Sequence, residues 1–369
     1  MKWKEQMLHL RAYQPGKSIE EVKREYNLNN IVKLASNENP YGYSPMVDTA
    51  LNNFGDSFRF YPDGSAQTLR EKTAGFLDVD QNQLIFTNGT DELVQIVSRA
   101  LLEPGKNTVM PTPTFPQYKH NAVIEGAEVR EVPVVEGRHD LSKMLAAIDD
   151  ETAIVWLCSP NNPTGIYMPQ TELRTFMDSV PSDVLVVLDE AYYEYVDDPD
   201  DSLALIDVYP NLLITRTFSK GYGLASFRVG YGISTAENIS RLEPARPPFN
   251  TNALGQLAAA AALDDPDFVA ESRQANAEEK EKYYQFCQRH GLSYFPTQGN
   301  FILIDLQCDG DFAAEFLLRR GLIVRSGAVL GFPTCARITI GTKDQNEQVR
   351  HAIDELKQHV AAQPQGDLA

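Results

Sequence analysis

The run Thr215-Arg216-Thr217-Phe218-Ser219-Lys220-Gly221, followed by Arg228, combines groups that could act on an amine beside an anion. A lone lysine in a turn is ordinarily solvated surface, because lysine is seldom buried. Its neighbours change that expectation. Thr217 and Ser219 supply hydroxyls, Arg228 a cation, and Gly221, Gly223 and Gly230 let backbone come close to a ligand. These are the parts of a phosphate cradle. An amine held beside a phosphate suggests a Schiff-base lysine carrying pyridoxal phosphate.

Four other loops carry matching chemistry. Thr87-Asn88-Gly89-Thr90 lies between the short strand Leu84-Ile85-Phe86 and a helical pattern running to Leu102. A strand, a glycine turn and a helix N-terminus form an anion site through free N–H groups and the helix dipole. The same stretch also reads as an ordinary connection capped by Thr90, and Asp91 and Glu92 would repel a phosphate unless turned away. In Pro113-Thr114-Phe115-Pro116-Gln117-Tyr118, either aromatic could stack on a flat ring. Ser159-Pro160-Asn161-Asn162-Pro163-Thr164-Gly165 follows an apolar strand from Ala153 to Cys158. Asp189 closes the strand Val184 to Leu188, at the carboxyl end where α/β sheets place functional groups, although a turn-capping aspartate reads alike.

Together these residues divide the work. Lys220 would hold the cofactor and Asp189 would pair with its protonated pyridine nitrogen. Asn162 and Tyr192 would hydrogen-bond the ring oxygen, Phe115 would stack on the ring, and Gly89, Thr90, Thr217, Ser219 and Arg228 would surround the phosphate. Phe60-Tyr61-Pro62-Asp63-Gly64, by contrast, reads as plain turn chemistry.

The elements that must position these loops alternate between strand and helix across residues 36–245, the pattern of an α/β domain with a mainly parallel sheet. Glu243-Pro244-Ala245-Arg246-Pro247-Pro248-Phe249 breaks it. A smaller α+β domain, 246–369, is expected beyond, and residues 1–35 read as an arm that joins it. Within the arm, Ser18 and Glu21 have capping-box spacing, as do Thr342 and Gln345 before the last helix.

Composition narrows the class. The chain has 369 residues, 43% of them apolar, enough for two ordinary domains. No apolar run reaches the roughly 18 residues of a membrane span, and the first residues lack the apolar core of a signal peptide. Cys158, Cys287, Cys308 and Cys335 are scattered, which argues against a disulfide framework or a metal cluster and fits the cytoplasm. A net charge of −18 disfavours nucleic acid and anionic membranes as partners. Anionic ligands would then need local cations, for which Lys220, Arg228, Arg325 and Arg337 are candidates.

The motifs quoted above, with Lys33 to Gly42, Tyr61-Pro62-Asp63-Gly64, Gly331-Phe332-Pro333 and Arg337 to Thr342, resemble those of fold-type I pyridoxal-phosphate aminotransferases. Within that family the resemblance, spanning about residues 8 to 360, is to the histidinol-phosphate aminotransferases of the Bacillus type. It implies a seven-stranded, mainly parallel sheet in a large domain with a smaller α+β domain. It also implies transamination between L-histidinol phosphate and 2-oxoglutarate, with aromatic amino acids as alternative donors. Tyr61 would reach the cofactor phosphate of a partner subunit, making the active unit a homodimer and replacing the plain turn reading. Arg337 would hold the substrate carboxylate, Arg325 with Tyr13 would face the distal phosphate, and Asn37 and Phe249 would wall the pocket. The chain departs from many members at Ser226-Phe227, where they carry Gly-Leu. A non-catalytic cofactor sensor is the rival from another class. It is disfavoured because the chain has no basic extension and keeps the substrate arginine.

Overall fold

The computed structural model describes residues 1–12, 16–55 and 57–362. Its strands, in chain order, are β1 Val32–Lys33, β2 Leu84–Thr87, β3 Asn107–Thr112, β4 Glu128–Pro133, β5 Thr152–Cys158 and β6 Leu185–Asp189. They continue with β7 Leu212–Thr217, β8 Gly230–Ile233, β9 Phe301–Asp305, β10 Leu322–Ile323, β11 Arg325–Ser326 and β12 Cys335–Thr339. Seven of them form one sheet in the order β2-β8-β7-β6-β5-β3-β4. All neighbours in it are parallel except β8, which runs against both β7 and β2.

The apolar runs of β5, β6 and β7 are continuous because both faces of the sheet are covered. Val155, Leu157, Val186 and Leu188 face one core, while Ile154, Trp156 and Val187 face the other. That is the twofold alternation of strand side chains at work. The edge strand β4, with Glu128, Arg130 and Glu131, is largely exposed. It lacks an apolar run because only one side of it pairs.

The helix Ala253–Ala262 follows the break at Glu243–Phe249, yet its alanines belong to the core of the large sheet. It packs against the helices Pro45–Asn52 and Gln67–Leu77. Methyl side chains on every face permit that close approach. The second core takes over along the helix Pro266–His290, with Tyr283, Phe286 and Cys287. Its sheet is antiparallel, in the order β11-β12-β9, and β1 pairs with β10 beside it. The break is therefore a bend in the chain that precedes the change of core.

The arm joins this smaller layer. The helix Ile19–Tyr26 carries the full Ser18–Glu21 capping box, and Val22 packs with Leu318 and Ile323. Thr342 and Gln345 exchange hydrogen bonds of 2.9 and 3.5 Å at the head of the last helix. The four cysteines are buried and unpaired. Among the described residues no helix is long and apolar enough to cross a membrane.

Candidate active site

Strands β5, β6 and β7 run parallel and in register, with Cys158 beside Asp189 and Asp189 beside Thr215. Their carboxyl ends therefore open on one edge, and the loops that follow meet there. The smaller sheet faces this edge. Between them lies a cavity of about 630 Å³, walled by residues that include Asp189, Lys220, Arg228, Arg325 and Arg337.

Asp189 forms part of the floor. It is buried, accepting from the Tyr118 hydroxyl at 2.5 Å and from the Ala191 N–H at 3.1 Å. Burial raises its carboxyl to about 6, although both hydrogen bonds act to lower it. No cation lies within ion-pair distance of it among the described residues. Of the two aromatics in the preceding loop, Phe115 lines the cavity. Tyr118 does not; it is stacked on Trp156 with ring centres 4.7 Å apart and serves Asp189 instead.

Lys220 Nζ donates to the Ser36 carbonyl at 2.8 Å. Withdrawal from water, then the nearby Arg337 charge, brings its amine down to about 8. A neutral amine is thereby within reach near physiological pH.

At one end of the cavity the chain builds an anion cradle. Gly89 is the N-cap of the helix Thr90–Leu101, with φ of 76° and no side-chain cap, so Thr90 is not capping. A Cβ on Gly89 would sit 2.4 Å from Arg228 Nη2; only glycine permits this approach. Arg228 donates from Nη1 to Ser219 Oγ at 3.3 Å and to the Ala225 carbonyl at 3.0 Å. Thr217 lines the cavity, but its hydroxyl serves the turn, accepting from Ser219 N–H at 3.0 Å and donating to the Val229 carbonyl at 3.3 Å. Glu92 is turned back, accepting from Asn88 N–H and Asn250 Nδ2. Asp91 stays at the cavity, 3.5 Å from Arg228. Ser226 is exposed in a short 3-10 turn, and the lysine-to-arginine spacing is kept.

The opposite wall is a linked set. Arg337 Nη1 donates to Asn162 Oδ1 at 2.6 Å and Nη2 to the Ala35 carbonyl at 2.7 Å. Asn37 donates to the Tyr192 hydroxyl at 2.9 Å and is itself held by Thr339. Arg325 stands opposite Arg337 across the β11–β12 pair, so both guanidinium groups rise from one face of the small sheet.

Three candidates do not line this cavity: Gly89, which sits behind Thr90, and Tyr61 and Phe249. Tyr61 is 82% exposed and stacks on Phe249, ring centres 4.8 Å apart, on the outer surface. Neither wall position expected of Phe249 nor a cofactor contact within the same chain is made. Tyr13 lies outside the described residues. Conversely, Ser36, Cys158 and Arg11 line the cavity without having been singled out by sequence. Ser36 contributes a carbonyl, which no residue type signals, and Arg11 is one arginine in a polar arm.

A cavity floored by an unpaired carboxylate, with a softened amine and an anion cradle beside it, defines an enzyme built to hold and process amines. Comparison with known proteins makes that class specific. Residues 29–355 match the family described as aminotransferase class I and II. The histidinol-phosphate aminotransferase of Geobacillus thermodenitrificans is 59% identical over 358 residues, 96% of this chain and 98% of that one. That of Bacillus subtilis is 54% identical, covering 96% and 100%. Among solved structures, histidinol-phosphate aminotransferase from Sinorhizobium meliloti, in complex with pyridoxal-5'-phosphate, superposes with a TM-score of 0.89 at 27% identity, covering 97% and 98%. The chain belongs to the class I and II aminotransferase family.

Proposed function

We propose that the protein transfers the amino group of L-histidinol phosphate to 2-oxoglutarate, giving imidazole-acetol phosphate and glutamate, in histidine biosynthesis. The observation that carries this reading is the Arg325–Arg337 pair. Like charges directly opposite on neighbouring strands repel, and a dianionic phosphate ester between them offsets that repulsion. An aromatic amino acid, with a single carboxylate, answers only one of the two charges.

The cavity suits pyridoxal phosphate. Asp189 is a buried carboxylate without a cationic partner among the described residues, the condition a protonated pyridine nitrogen satisfies. Gly89, Thr90, Ser219 and Arg228 would hold the phosphate, and Phe115 the ring face. Asn162 and Tyr192 would hydrogen-bond the ring oxygen. When bound, the cofactor supplies an electron-withdrawing ring that weakens the C–H bond at the amine-bearing carbon. Lys220 Nζ takes that proton as a base and returns one as an acid. Its lowered basicity keeps both states accessible near neutrality. Arg337, braced by Asn162 and the Ala35 carbonyl, orients the acidic end of each substrate.

We further place the working unit as a cytoplasmic homodimer. The exposed Tyr61–Phe249 stack supports this, since it offers apolar surface and a hydroxyl away from the chain's own cavity. Residues 1–35 and the chain beyond the 246 region would form the smaller domain, with the helix Ala253–Ala262 assigned to the large one.

The deciding experiment is a half-reaction. Histidinol phosphate is added to the yellow, cofactor-loaded enzyme without an acceptor, and loss of the yellow absorbance is followed. Bleaching much more efficient than with phenylalanine or tyrosine supports the proposal. Bleaching by the aromatic amino acids alone would keep an aminotransferase and remove this substrate.

A further inference from the structure

We infer that Arg11 is a specificity-determining residue that engages the phosphate-bearing end of the amino donor. The inference rests on the proposed substrate and adds to its recognition a residue of the N-terminal arm that the family resemblance does not name.

Arg11 lines the cavity together with Arg325. The arm is brought there by anchors on both layers. Lys4 Nζ and Gln6 Nε2 donate to the Ile124 carbonyl at 3.0 and 3.1 Å, pinning the 3-10 turn Glu5–Leu8 to the helix Gln117–Glu125 of the large domain. Past the cavity, Lys17 pairs with Glu25 at 2.6 Å, and Tyr26 donates to Glu315 of the smaller layer. The arm also runs close against the second arginine: a Cβ on Gly16 would lie 3.6 Å from Arg325 Nη1.

Arg11 makes no ion pair or hydrogen bond among the described residues. It is exposed, so its guanidinium is free to meet an incoming ligand at the cavity wall. The cavity reverses the balance of the whole molecule. Arg11, Lys220, Arg228, Arg325 and Arg337 line it against Asp91 and Asp189. Lys220, Arg228 and Arg337 have partners within the site. Arg11 adds positive charge to a wall that already carries Arg325 and Arg337. A ligand with more than one negative charge resolves that crowding, and a guanidinium suits phosphate oxygens through its forked donors.

The test uses the loaded enzyme and two amines that differ by one group, histidinol phosphate and histidinol. In the half-reaction, Arg11→Gln should lower kcat/KM for histidinol phosphate about tenfold, mainly through KM, as expected for one charge-assisted contact. Histidinol should be unaffected, Arg11→Lys should recover most of the loss, and added salt should shrink the difference. An equal loss with both amines would make Arg11 a structural residue, and no loss would make it solvated surface; either overturns the inference. Wild-type enzyme that does not favour the phosphorylated amine would overturn the proposed substrate and this inference together. A preference that survives Arg11→Gln undiminished overturns this inference alone.

Discussion

Tyr118 directs its hydroxyl onto Asp189 Oδ2 at 2.5 Å from beneath the cavity floor, with its ring clamped on Trp156. The hydrogen bond favours the ionised carboxylate, while burial opposes it. Only the ionised form can pair with a protonated ring nitrogen, so cofactor affinity should fall as pH drops through about 6. In Tyr118→Phe only the Ala191 N–H is left to offset burial. The acid limb should move to higher pH, and affinity at pH 7 should weaken about tenfold. Cofactor titrations across pH check this; superimposable profiles would remove Tyr118 from the site.

Asp189→Asn separates stability from function. The folded state binds this proton more tightly than the unfolded chain, whose value is near 3.8. Asp189 thus detracts from stability above about pH 6, and the deficit fades as pH falls toward 3.8. Cofactor-free Asp189→Asn should melt a few degrees higher than wild type at pH 7.5, roughly 2–4 °C. The gain should shrink on acidification while turnover is lost. A lower melting temperature at pH 7.5 contradicts the unpaired-carboxylate argument.

Lys220 has the opposite linkage. Its amine is held down at about 8 instead of 10.5, so the unfolded state binds more protons between these values. This group's contribution makes stability rise with pH across that window; below about 8 both states are protonated and its unfavourable contribution is constant. In the cofactor-free protein, Lys220 should react with an amine-modifying reagent half-maximally near pH 8, read by peptide mass analysis, well before surface lysines. Lys220→Ala should keep the fold and lose about 10²–10⁴-fold or more in turnover. Near-normal turnover would displace Lys220 from the chemistry.

Gly89→Ala places a methyl 2.4 Å from Arg228 Nη2 at a φ of 76°. Arg228 must retreat from Ser219, and phosphate affinity should suffer before the fold does. The expected signature is a cofactor dissociation constant raised about tenfold or more, with inorganic phosphate protecting less well. Unchanged cofactor affinity would mean that the cradle lies elsewhere.

If Tyr61 acts across subunits, defects in Tyr61 and Lys220 should complement. A hybrid of Tyr61→Ala and Lys220→Ala chains would contain one intact site and one doubly impaired site. Co-expressed hybrids should regain wild-type cofactor affinity at half of their sites. Hybrids that show only the two parental affinities would confine each site to its own chain.

Much of this site was legible because it depends on residue types at chain turns. The acid ending β6, the amine after β7 and the glycine before the helix Thr90–Leu101 all mark strand ends, and parallel strands bring such ends together. In the sequence Tyr118 shows only as a possible stacking ring, because its partner Asp189 lies 71 residues away. β4 gives no signal in the sequence because a half-exposed edge strand carries charges instead of an apolar run. The alanine helix falls within the 246–369 range expected of the smaller domain, although its small side chains suit burial among other helices. Composition says that such a helix packs tightly, but not against which core.

The helix Pro266–His290 starts on the large core, where Val269 packs, and ends in the small one. At 1.5 Å per residue it is a rod of roughly 37 Å. A rod of continuous hydrogen bonds does not shear, so any tilt of the arginine-bearing sheet over Lys220 must pivot near its ends. Those ends are Asp265–Pro266, and Gly291 with φ of 61°. One helix thus ties the two cores together, with Lys220 on the larger and the Arg325–Arg337 pair on the smaller.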